Sequence, residues 1–256
     1  MRNSISCEDV IIKLDQLLEQ AESATPLITD KQIQLEQKSI LAKNLQDIKK
    51  YKEQVIIKQE EGIANLFLYY QCAFNSKISH FEMCLNIKNE QHHAAWIYLI
   101  DMQDYYKYAI QAFKMSIFSS NDIIINRLLE YKQHIQSIED VIFRKMPIYQ
   151  SCGLKISGGK CSVCEKLIDT CTHIEECIYM GRVCKRIFDK NTFIELEHGA
   201  LVTNPKDRRC IITKFTDKDG SEIDNITQKR VSKRKNLSKK NKFEGYLVYT
   251  KQLDIF

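Results

Sequence analysis

Between residues 161 and 173 the chain carries three thiols and one imidazole, ordered as Cys161-x2-Cys164 and then Cys171-x-His173. A Cys-x2-Cys knuckle lets two thiolates converge on one cation at about 2.3 Å. The residues between Cys164 and Cys171 are enough for the chain to turn back with a second ligand pair. The spacing therefore predicts a closed, tetrahedral Cys3His site, and thiolates with one imidazole are a donor set that suits Zn2+. Downstream, Cys184 leaves a second assignment open, in which Cys161, Cys164, His173 and Cys184 are the ligands. The bland alternative is a set of buried apolar cysteines without a metal.

A catalytic zinc keeps one position open for water, whereas four protein ligands in one short loop close the shell. Glu175 stands two residues after His173, as the general acid/base of a zinc deaminase does after its first ligand. The downstream Pro-Cys-x-x-Cys of that motif is missing, and the Cys-x2-Cys lies upstream, in the wrong order. The expected site is structural, and no catalytic residue is assigned.

What positions these ligands can be read from composition. Up to residue 150 there are 17 Lys+Arg against 19 Asp+Glu, a net charge of −2; from residue 151 onward there are 21 against 14, a net of +7. Seven of the eight glycines and two of the three prolines lie at or after Pro147. A nearly neutral region poor in helix breakers is thus followed by a basic, turn-rich one. The expected fold is α+β: a long-helix bundle over residues 1–147, then a small zinc-stabilised β-rich module over 148–256, with the boundary at residues 147–153.

Between Pro26 and Pro147 there is no proline and one glycine, Gly62, a strong helical signal. Val10, Ile11, Leu14, Leu17 and Leu18 form one face of a first helix. Thr29 followed by Gln32 has the form of a capping box for a second. That helix is long, with sparse apolar positions, and reads as a rod that pairs with another helix, a coiled coil being one form. Ser119 and Ser120 are candidate N-caps for the last helix. About four helices are expected in an up-and-down arrangement. His92 and His93 are adjacent and read as solvent-facing. Trp96, Tyr98, Tyr105, Tyr106 and Tyr108 read as core in preference to a base-stacking surface. Asp101 and Asp104 share a face, but no Glu-x-x-His repeat accompanies them, which argues against a di-iron bundle.

Beyond the knuckle, "TFIELEHGALVT", "RRCIITKFT" and "FEGYLVYTK" read as strands. Residues 228–242 form a basic loop holding eight Lys/Arg and no acid: Lys229, Arg230, Lys233, Arg234, Lys235, Lys239, Lys240 and Lys242. Such a tract suits a mobile loop or arm. Each phosphate it neutralised would release a counterion, giving salt-sensitive affinity for DNA or RNA without base readout. Arg208, Arg209, Lys185 and Arg186 could add to that field.

The order Cys161-x2-Cys164, Cys171-x-His173, Gly181-x2-Cys184 resembles a small zinc-knuckle pattern found in phage and mobile-element proteins of bacteria, including segments attached to prohead-protease-like domains. The likeness covers about 25 residues and extends towards "ELEHGALVTNPKDRRC". It implies a setting in phage or anti-phage biology, not an activity; no serine protease dyad accompanies it.

No run of 18 apolar residues occurs, and the N-terminus turns charged before any hydrophobic region develops, so a cytoplasmic protein is expected. Clustered cysteines in such a compartment read as metal ligands. The first functional reading is a non-enzymatic binding protein, its bundle contacting a protein partner or a second copy and its basic module contacting nucleic acid. The second is a structural or oligomerisation scaffold without nucleic-acid binding. An enzyme is the weakest reading, because no nucleophile, base and oxyanion donor assemble by motif.

Overall fold

The computed structural model describes residues 7–26, 29–143, 148–188, 192–233, 243–245 and 253–255. Five helices come first: α1 (Cys7–Ala24), α2 (Lys31–Ile57), α3 (Glu61–Lys88), α4 (His92–Lys114) and α5 (Asp122–Ile142). Ten short strands follow, so the fold is α+β with a helical bundle ahead of a β-rich region.

The helices end where backbone geometry ends them. After α2, Gln59 takes a positive φ of 60° and the amide of Glu60 donates to the Val55 carbonyl at 3.1 Å, a Schellman-type stop. The same device recurs after α3, where Glu90 has φ 59° and Gln91 donates to Asn86. Neither stop uses glycine, which is why the rod looks unbroken in sequence. Gly62 lies inside α3, where a Cβ would come within 2.6 Å of the Ile117 side chain. At the N-termini the caps fall close to the expected positions but on other residues. Asp30, in place of Thr29, accepts from the Gln32 amide at 2.7 Å. Asn121, in place of Ser119 or Ser120, accepts from Ile123 and Ile124.

α3 is the buried centre, enclosed from Ala64 to Leu85 on most of its faces and packed chiefly on α4 and α2. The aromatic cluster of α4 is core: Trp96, Tyr105, Tyr106 and Tyr108 are buried.

The β region comprises β1 (Tyr149–Ser157), β2 (Lys160–Cys161), β3 (Ile178–Tyr179), β4 (Arg182–Val183), β5 (Arg186–Ile187), β6 (Phe193–Val202), β7 (Ile212–Thr216), β8 (Ser221–Asp224), β9 (Arg230–Lys233) and β10 (Phe243–Gly245). β1 and β6 pair as a long antiparallel ribbon, with one bridge from Tyr149 to Ile211, while a four-stranded sheet has the order β10-β7-β8-β9. The two strands expected on either side of Asn204-Pro205 are present, but they belong to different sheets. Arg230–Lys233 forms an edge strand of the second sheet, which corrects the reading of that part of the basic stretch as a loose arm.

Both hydrophobic clusters draw on both regions. Ile178, Val183 and Ile255 join α1–α5 side chains in one, and Tyr149, Ile211 and Ile226 join Trp96, Leu99 and Ile135 in the other. No described helix is long and apolar enough to cross a membrane.

Candidate metal centre

The first ligand pair stands in a tight knuckle. Cys161 accepts at its carbonyl from the Glu165 amide at 2.9 Å, and its own amide donates to Lys166 at 2.8 Å. Closing so short a loop requires Glu165 to take a positive φ, 60°. The Val163 amide then points at the Cys161 Sγ from 3.4 Å. A 3-10 turn, Ile168–Thr170, returns the chain, and the His173 amide points at Cys171 Sγ from 3.2 Å.

This folding brings the ligand atoms of Cys161, Cys164, Cys171 and His173 within 4.8 Å of one another, the one such cluster among the described residues. Cys164 and Cys171 stand with sulfurs 3.6 Å apart; Nδ1 of His173 is 3.2 Å from the Cys171 sulfur and 3.7 Å from that of Cys161. Metal–sulfur bonds of about 2.3 Å place tetrahedral vertices about 3.8 Å apart, so these are edge lengths of a zinc tetrahedron. Cys184 is buried with its sulfur 3.7 Å from Cys161, yet it does not complete a mutual cluster with the other ligands.

Burial raises the Cys161 thiol, but the Cys164 and Val163 amides and the neighbouring thiols bring it down to about 6. Cys171 and Cys184 are pushed the other way, to about 11 and about 12, by desolvation and by facing that first thiolate. A cation among these sulfurs would let the remaining thiols ionise as well, and the arrangement can hold one. The His173 ring lies edge-on to Tyr179 at 4.4 Å between centroids, and the Tyr179 hydroxyl accepts from the Ile174 amide. That contact orients the imidazole with Nδ1 towards the thiols, the supporting role that outer partners play at metal sites.

The knuckle is fastened to the bundle by the β3–β4 hairpin. Its two turn residues, Met180 and Gly181, both have positive φ, as a tight two-residue hairpin turn demands. The Gly181 amide donates to Asn65 Oδ1 at 2.9 Å and the Met180 amide to Glu61. A Cβ on Gly181 would sit 2.7 Å from the Ala64 carbonyl oxygen, so only glycine lets the hairpin reach the α3 backbone. Arg182 adds an ion pair to Glu53.

The other singled-out residues divide sharply. Arg209 is buried and bonded to Asp101, Asp104 and Asp207 at 2.8, 2.6 and 3.0 Å, which gives the paired aspartates of α4 a purpose. Arg208 pairs with Glu139, while Lys185 and Lys107 share Glu176 and Arg186 meets Asp169. The near-knuckle cations are therefore already matched with carboxylates of the chain. His93, expected to face solvent, instead meets Asp224 at 2.6 Å. In the basic stretch, Lys229 and Arg230 are exposed, and Arg230 approaches Asp217 and Asp219. Lys233 ends β9; Arg234, Lys235, Lys239, Lys240 and Lys242 lie outside the described residues.

No protein-family model matches this chain, and no curated protein or solved structure matches it significantly. The likeness to phage and mobile-element zinc knuckles rests on its own six positions, of which Cys161, Cys164, Cys171 and His173 form the cluster.

Proposed function

We propose that Cys161, Cys164, Cys171 and His173 bind one structural Zn2+ and that the protein is a non-enzymatic binding module, in which the zinc knuckle and the bundle form one platform for a basic nucleic-acid-contacting segment. The observation that carries the metal is the convergence of four ligand atoms within 4.8 Å, with three of their separations, 3.2, 3.6 and 3.7 Å, near tetrahedral edges. Four protein ligands leave zinc no vertex for water, so the ion would stabilise folding and do no chemistry.

Support for nucleic-acid contact comes from the segment between the two outer strands. Lys233 and Phe243, the residues next to the interval 234–242 in sequence, belong to β9 and β10, the two edge strands of the four-stranded sheet. Five of the eight Lys/Arg of the basic stretch fall in that interval. Clustered cations contact a phosphate backbone by releasing counterions, without base readout. Binding of a nonspecific oligonucleotide is expected to weaken by roughly a hundredfold between 50 and 200 mM salt. Lys233, Arg234 and Lys235 replaced together by Ala should reduce both the affinity and the salt slope. Affinity independent of salt, or unchanged in that variant, would refute nucleic-acid contact.

The matched charges around the knuckle favour a second reading, a scaffold whose cations serve internal ion pairs and whose bundle carries the partner. The resemblance of the knuckle supports a phage or anti-phage setting for either.

A further inference from the structure

Among the described residues the β1–β6 ribbon is a sheet of two long strands. At its base β1 is bridged to Ile211, and Gln150 donates to the Cys210 carbonyl, so β1 is covered there. β6 has no second neighbour among the described residues and runs bare from Phe193 to Val202. Towards the ribbon's far end, Leu154 opposes Leu196 and Ile156 opposes Ile194, which places four apolar side chains on one face. Phe193, Ile194, Leu196 and Leu201 are each at least half exposed. A two-stranded ribbon is marginal in water by itself, and an open strand edge is a template for another strand.

We propose that the β6 edge receives an extended segment of a partner protein in which apolar and basic residues alternate. The charge pattern selects that occupant: Ile194 and Leu196 alternate with Glu195 and Glu197, all exposed. Antiparallel pairing of β6 with β6 of a second copy sets Glu195 opposite Glu195 when the axis falls at residue 195, and Glu195 opposite Glu197 when it falls at 196, and like charges directly opposed are destabilising. The same carboxylates repel a phosphate backbone. A strand bearing lysine or arginine opposite Glu195 and Glu197, with apolar residues opposite Ile194 and Leu196, satisfies both the side chains and the bare ladder. Opposite Gly153 and Leu154, β6 bulges at Glu197, which has no partner on β1, while Lys155 stands opposite Glu195. The edge carboxylates thus do two things at once: they keep copies apart and they choose the partner.

The test is fluorescence anisotropy with the full chain and a labelled synthetic peptide of β6 length that alternates valine and lysine. Its controls alternate valine and glutamate, scramble the lysine order, or carry N-methyl groups on alternate amides. Binding of the lysine peptide at least about tenfold tighter than the glutamate and scrambled ones, and lost on N-methylation, is expected. The double variant Glu195→Lys, Glu197→Lys should reverse the preference while circular dichroism and zinc content stay as in the wild type. Equal binding of all peptides, or a preference unchanged in the double variant, would overturn the proposal. So would a dimer in sedimentation that the double variant abolishes, since a second copy would then own the edge.

Discussion

Asp224 links stability to acid pH. Burial raises its carboxyl, but the Thr227 amide, the His93 ring and the Thr227 hydroxyl outweigh it and hold the group below the usual aspartate range. A depressed carboxyl contributes its full stability above the unfolded value, about 4, and loses it as pH falls through the folded one. Asp224→Asn is expected to cost about 1–2 kcal/mol at pH 7 and less below about pH 4, by urea unfolding; an equal loss at both would contradict this. Lys52 works in the opposite direction. It is fully buried, its Nζ donates to Gln71 Oε1 at 2.7 Å, and desolvation brings its ammonium down to about 8. Between pH 8 and the unfolded value near 10 the unfolded chain binds more protons at this site, so its contribution to stability rises with pH. The wild type should therefore gain roughly 2 kcal/mol on Lys52→Met across that range. The Cys161, Cys164, Cys171 and His173 cluster was legible because its spacing is local. Lys52 was not, since in "KKYKEQ" it looks like any lysine on a solvated face. Nor was the bond between Arg209 and Asp104, which joins residues 105 positions apart.

Among the elements, the hairpin that ends in Gly181 decides whether the knuckle is attached. Gly181→Ala combines a positive φ with a Cβ pressed on the α3 backbone. It is expected to cost about 2–3 kcal/mol and to open the β3–β4 region to hydrogen exchange, with zinc retained because the ligands are untouched. Protection equal to the wild type would show that the hairpin does not need the contact. Helices were read easily, since a run of about 120 residues without proline permits little else. Their stops were not, because Gln59 and Glu90 occupy left-handed positions that sequence habitually gives to glycine. β1 was missed for a related reason: "YQSCGLKIS" has a glycine at its centre and little alternation, and its strand character comes from pairing with β6.

For the whole molecule, the change in composition near Pro147 marks where helices give way to strands, while the hydrophobic clusters run across it. Ile255 illustrates the closure. It is fully buried against helices of the first half, and beside it the Asp254 carbonyl accepts from Gln71 and Asn75 while Lys49 meets the Asp254 carboxylate. Ile255→Ala should cost about 2–4 kcal/mol, read as a lower midpoint for the helical signal itself. Loss confined to the β region would show that the two parts unfold separately. None of this closure was visible in sequence, because long-range packing leaves no local spacing to read. A metal at Cys161, Cys164, Cys171 and His173 would bind these scales together, since four local ligands would hold the knuckle that the bundle receives. The most direct test is elemental analysis of the full chain purified under reducing conditions, beside Cys164→Ser. One zinc per wild-type chain, lost in the variant together with cooperative unfolding of the β region, is the predicted result; wild-type protein that is fully folded without metal would contradict it.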